Sequence, residues 1–279
     1  MEGFGMCLNF AFVTLFVTTV WIFLSRNLSF GILALAMFIP AVFALIFKAV
    51  NGEAVEFMGQ LVFGTRNPPT ATPTARDFHV VTACLISVAV AVFTIGLCAA
   101  LNLALGWGRL SKRDGRRDMS SNIKALMNGQ AVWGFLSASG EEVGWRCFFL
   151  PCMVETYSPA KALAISGVMW GLAHVAVMIV LSRRCKIDHQ ILTVVVQCVS
   201  VSLAAYPHGW IAMRSGYSVW PSAVMHFTWN FLNPRVLGSI YTQKPGLIIG
   251  DQWLINGEGL SGCIIYIPLV LLIVKDVAG

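Results

Sequence analysis

Eight apolar runs, set apart by short polar or charged segments, make up most of the chain. They lie at about Cys7 to Ser25, Phe30 to Val50, Phe78 to Gly106, Ala131 to Met153, Pro159 to Leu181, His189 to Met213, Val219 to Leu232 and Leu260 to Val274. A helix needs about 20 apolar residues to cross the hydrocarbon of a bilayer. Inside that layer every backbone polar group must find its partner within the segment, which a helix provides. The pattern therefore predicts an all-α fold, a polytopic transmembrane helix bundle of about eight spans, as a single membrane domain over 1–279.

Local signals refine this picture. No basic stretch precedes the first run and no small-residue cleavage site follows it, so a retained helix is expected rather than a signal peptide. Pro40 predicts a kink in the second run and Pro207 an interruption of the sixth. The seventh is short for a full span. Residues 51–77, with Asn67-Pro68-Pro69 and Thr72-Pro73-Thr74, read as a polar loop with extended character. Gly167-x-x-x-Gly171 in the fifth run predicts close approach of another helix backbone.

Composition agrees with the runs: 57% of the 279 residues are hydrophobic and 11% charged, against about 25% charged in soluble domains. The mean hydropathy is +0.74. The net charge of +6 comes from basic residues placed mainly in the loops, which fits membrane topology and not nucleic-acid binding. Twelve of the nineteen basic residues fall on the side of the first, third, fifth and seventh loops, including the cluster from Arg109 to Lys124. The positive-inside rule places that side in the cytoplasm and both termini outside. The eight cysteines show no C-x-x-C and no paired metal spacing, so they read as small apolar fillers and not as a disulfide or zinc framework.

Three runs carry polar groups that lipid contact does not explain. The fourth holds Glu141, Glu142 and Arg146 within Ser139-Gly140-Glu141-Glu142-Val143-Gly144-Trp145-Arg146. A charge at membrane depth costs about 2.5–3.5 kcal/mol on insertion scales, and three in six residues ask for a reason. Glu142 and Arg146 are spaced i,i+4 and are expected to pair, while Glu141 is turned by about 100° and left for another task. The fifth run has Trp170 and His174 one turn apart, and the seventh has His226 and Asn230 in the same relation. A carboxylate base, two imidazoles and an amide donor suffice for water-mediated acyl chemistry. His208, beside Pro207, is expected to be a packing residue, and His79 and His189 to be interfacial. Glu155 and Asp251 read as ordinary loop residues.

The three ordered motifs, Glu141-Glu142-x-x-x-Arg146, Trp170-x-x-x-His174 and His226-x-x-x-Asn230, resemble the CAAX-protease and bacteriocin-processing (CPBP, or Abi) family. These are the Rce1-like intramembrane glutamic endopeptidases, typified by CAAX prenyl protease 2. Gly144-Trp145-Arg146, Leu150-Pro151 and Gly216-Tyr217-Ser218-Val219-Trp220-Pro221 add to the resemblance, which covers a catalytic core of about 125–235. Trp170 stands where many members have phenylalanine. The resemblance implies that Glu141 activates the water with help from His174, that His226 and Asn230 form the oxyanion site, and that Glu142 and Arg146 position this group. It implies no cofactor, with membrane lipids as surroundings and a peptide or the C-terminus of a prenylated protein as substrate. It further implies a multi-pass protein of the endoplasmic reticulum or plasma membrane. Bacteriocin-like peptides are the alternative substrates, and a zinc site with Glu141, His174 and His226 as ligands is the alternative chemistry. A proton-coupled transporter would use the same buried groups, and a haem held by His174 and His226 is a further arrangement.

Overall fold

A computed structural model describes residues 2–65, 78–111, 129–241 and 244–278. The architecture is all-α, with a single two-residue antiparallel pairing of Arg109–Leu110 (β1) with Ile248–Ile249 (β2) among the described residues. The first run is α1 (Glu2–Leu24). The second is α2 (Phe30–Leu33), a 3₁₀ segment Ala34–Phe38 and α3 (Ile39–Val50). The tightening falls just ahead of Pro40, whose missing N–H leaves a carbonyl one turn earlier without its helical partner. The third run is α5 (Val80–Ala104). The fourth is α6 (Gly129–Glu142), a π-helical segment Val143–Phe149 and α7 (Leu150–Val154). The last four helices are α8 (Pro159–Arg184), α9 (Gln190–Arg214), α10 (Val219–Val236) and α12 (Leu260–Ala278), the last preceded by the short α11 (Gln252–Ile255).

Six of these segments are long and apolar enough to cross a membrane. The fourth and seventh runs are helical too but are not among the six, and between them they carry the buried Glu142, Arg146 and His226. Large apolar side chains such as Phe12, Phe16, Leu85, Phe93, Leu271 and Leu272 are exposed around the outside. So much exposed apolar surface is foreign to a soluble monomer and fits a face turned to lipid. The chain is thus a multi-pass integral membrane protein.

Three expectations are corrected. Ala54–Phe63 (α4) is a helix and not a loop; its Phe57 and Leu61 are buried while Glu56 and the apolar Val55, Met58 and Val62 are exposed. Pro207 lies inside the continuous helix α9 and does not interrupt it. Cys7 and Cys152 form a disulfide between α1 and α7, where all cysteines were expected to be fillers. The bundle brings those two helices together across 145 residues of sequence, a distance at which spacing carries no pairing signal. The other six cysteines are free. Asn67-Pro68-Pro69, Thr72-Pro73-Thr74 and the basic positions from Lys112 to Lys124 lie outside the described residues.

Close backbone packing fixes the helices that hold the polar groups. A Cβ on Gly167 or Gly171 would stand 2.6 Å from the carbonyl oxygen of Ser202 or Cys198, so α8 and α9 touch along the expected glycine stripe. A second stripe flanks the two glutamates. A Cβ on Gly140 would lie 2.7 Å from the Met37 carbonyl, and one on Gly144 2.6 Å from the Pro40 carbonyl carbon. The fourth run is thereby pressed against the 3₁₀ segment and the first turn of α3.

Candidate active site

The fourth run reaches its charged residues in α-form and leaves them in π-form. A π-helical turn takes one extra residue, and such turns cluster at functional sites. Here it spans Val143–Phe149 and carries Arg146. Glu142 and Arg146 are both fully buried, with Arg146 Nε 3.3 Å from Glu142 Oε2. The other oxygen, Glu142 Oε1, accepts from Nδ1 of His226 on α10 at 2.8 Å. The expected two-residue pair is therefore a three-residue chain, Arg146–Glu142–His226, joining two helices.

Glu141 points elsewhere, as its rotation around the helix requires. It is half-buried and lines a cavity of about 360 Å³. Its Oε2 accepts from the Trp170 indole Nε1 at 2.7 Å. Trp170 is the hub of the site. The Arg146 guanidinium lies 3.7 Å from its ring centre, and the rings of His174, His208 and His226 stand 5.4, 5.4 and 5.6 Å away. Phenylalanine at this position would keep the ring contacts and lose the bond to Glu141.

His174 donates Nδ1–H to the Trp170 carbonyl at 2.9 Å, since a carbonyl only accepts, and in the neutral ring this makes Nε2 the acceptor. Asn230 is exposed and lines the same cavity. Glu141, His174, His226 and Asn230 thus border one cavity, with Glu142 and Arg146 packed behind it. The lining continues through apolar residues of the first two runs, among them Ile22, Leu33 and Met37. Among the described residues no group of three His, Cys, Asp or Glu stands where it could hold a metal ion.

Two residues join the cavity that sequence reasoning left out. His208 has the packing bond expected of it, Nδ1 to the Ala204 carbonyl at 2.8 Å. It also lines the cavity, with its ring 5.9 Å from that of His226. Glu258 reads as a loop residue before α12, yet it is buried in the cavity wall. The available signal was its setting in Asn256-Gly-Glu-Gly, a charge among residues that permit tight turns. His79 and His189 are exposed at helix starts.

Residues 125–232 match the family model described as type II CAAX prenyl endopeptidase, Rce1-like. No curated protein matches the chain.

Proposed function

The match over residues 125–232 supports the Rce1-like CPBP family of membrane proteases for this chain, and from that premise we propose that it is an endopeptidase in which Glu141 activates a water. The observation that carries the reading is the split between the adjacent glutamates. Glu142 is consumed by Arg146 and His226, while Glu141 faces a cavity it shares with His174, His226 and Asn230.

Glu141 takes a proton from water, and the resulting hydroxide adds to the peptide carbonyl. His174, with Nε2 left as an acceptor, holds the second water proton. The Asn230 amide donates to the developing oxyanion. His226 donates as well only when its ring carries a proton at Nε2 in addition to the one it gives Glu142, and the Glu142 carboxylate is the counter-charge for that form. Glu141 then returns its proton to the leaving amine as the carbon–nitrogen bond breaks. The apolar lining from the first two runs suits a lipid-modified peptide, and the C-terminal tripeptide of a prenylated protein is the proposed leaving fragment.

The test is purified protein against matched prenylated and unprenylated peptides. A carboxylate base has no substitute in its amide, so Glu141→Gln should remove cleavage while leaving detergent stability unchanged. Wild-type cleavage by Glu141→Gln would sink the mechanism. Cleavage should also survive exhaustive chelation. Stoichiometric zinc lost together with activity, and restored with it, would replace this mechanism by a metal-dependent one.

A further inference from the structure

The loop between α11 and α12 folds into the bundle interior. Ile255, Asn256, Gly257, Glu258 and Gly259 are all buried, and buried loop backbone needs partners. Four helices supply them. Asn102 of α5 donates to the Ile255 carbonyl at 2.7 Å. Ser200 of α9 donates to the Gly257 carbonyl at 3.1 Å. Asn233 of α10 donates to Asn256 Oδ1 at 2.9 Å and accepts the Gly257 N–H at 3.2 Å. Ser261 of α12 donates to the carbonyls of Ile255 and Asn256 at 2.9 and 3.0 Å. Gly257 has no room for a side chain, because a Cβ there would lie 2.6 Å from both Asn233 Oδ1 and the Trp229 ring.

This scaffold delivers one charged group to the cavity wall, the Glu258 carboxylate. Its Oε2 accepts from Gln197 Nε2 at 2.7 Å and its Oε1 from Trp229 Nε1 at 3.2 Å. Gln197 is held in turn by the Tyr241 hydroxyl. Every one of these groups is neutral. Among the described residues no lysine, arginine or histidine nitrogen pairs with this carboxylate. Its hydrogen bonds are satisfied while no cation pairs with it among the described residues, the His174 and His226 rings of the same cavity wall acting on it only from beyond contact. A buried carboxylate is stabilised where a positive charge meets it. A residue serving only to fill space would be apolar. Glu258 also lies outside residues 125–232, so the family match assigns it nothing, and the cleavage proposed above does not use it.

We propose that Glu258 is a specificity-determining residue whose carboxylate forms a subsite for a positively charged side chain of the bound peptide. The proposal rests on the peptidase reading in one respect, that a peptide occupies this cavity. A lysine or arginine there makes a charge-assisted hydrogen bond to a preorganised acceptor. An aspartate or glutamate meets a like charge in the same place.

Binding tests this without cleavage. The full chain carrying Glu141→Gln is titrated with fluorescent farnesylated peptides. Lys, Gln or Glu stands in turn at each of the three positions after the farnesyl cysteine and the two before it. At one position the Lys peptide should bind at least about tenfold more tightly than the Glu peptide, with Gln between. Adding Glu258→Gln should bring that ratio to within about threefold. The substitution keeps shape, and Gln197 Oε1, which has no partner, can turn to accept the new amide. Should this variant not survive purification, Glu258→Asp keeps the charge and must keep the order Lys over Glu. A Lys-to-Glu ratio near one at every position, a ratio unchanged by Glu258→Gln, a lost order in Glu258→Asp, or no peptide binding at all would each overturn the proposal. Cleavage of the same peptides by the unsubstituted chain reports separately on the peptidase reading. Selective binding without cleavage defeats that reading alone, and unselective cleavage defeats the subsite alone.

Discussion

Glu142 stands between two partners, and this decides which of its neighbours tolerates loss. Taken as a pair, Glu142 and Arg146 suggest that Glu142→Gln is the milder change, since an amide oxygen still accepts from the guanidinium. The chain Arg146–Glu142–His226 reverses that ranking. In Arg146→Leu the stranded carboxylate keeps His226 at 2.8 Å, and that ring can take up a proton to neutralise it. In Glu142→Gln the geometry is satisfiable, with the amide oxygen toward Arg146 and the amide N–H toward His226 in its other tautomer. The charge is not, because a fully buried guanidinium loses the one carboxylate paired with it among the described residues. Removing one partner of a buried ion pair costs about 3–5 kcal/mol, and Glu142→Gln should carry that full cost. Arg146→Leu loses a stacked contact on Trp170 of about 2 kcal/mol and little more. At about 2–4 °C per kcal/mol, Glu142→Gln should unfold on the order of 10 °C lower in detergent and Arg146→Leu about half as far. The double variant should recover part of the loss, because no buried charge is then stranded; a double-mutant cycle reads this as coupling. A wild-type melting point for Glu142→Gln beside a collapsed Arg146→Leu would show that Trp170, and not Glu142, holds the arginine, and the reasoning would fail.

Three further outcomes are expected. Asn230→Ala should lower kcat by about 10²–10³ with KM little changed, as for one lost oxyanion donor, and equal losses of binding and rate in steady-state kinetics would contradict that role. Trp170→Phe keeps the ring beneath Arg146 and removes the indole bond to Glu141, so kcat should fall by about tenfold while stability holds. An unchanged kcat would show that Glu141 needs no such orientation. Gly144→Ala drives a methyl into the Pro40 backbone and should destabilise by about 1–3 kcal/mol, whereas Gly134→Ala, at 3.6 Å from the Phe227 ring, should melt as wild type does.

The helices were legible because lipid imposes one rule along the whole chain, and a run of apolar residues reports it without reference to any other part. What escaped the sequence depends on partners far along it. Ala54–Phe63 hid because its apolar positions, Phe57 and Leu61, are buried by other helices while its remaining face mixes Glu56 and Gln60 with exposed Val55 and Val62, a pattern too short to separate from a loop. Pro207 stayed within α9 because the packed neighbours hold the helix through the missing bond, which propensity alone cannot foresee. At the site, spacing showed that Glu141 and Glu142 must diverge, since a helix turns about 100° per residue. It could not show what each would meet, because His226 is 84 residues from Glu142 and Trp170 is 29 from Glu141. Glu258 shows the limit most sharply. Glycine and asparagine around a charge read as a solvated turn, and the same residues, small or doubly hydrogen-bonding, are what allow a loop to be buried when four helices supply its bonds. Turn chemistry in a membrane protein is therefore ambiguous between surface and interior, and it is the number of polar partners in the neighbouring spans, here Asn102, Ser200 and Asn233, that decides between them.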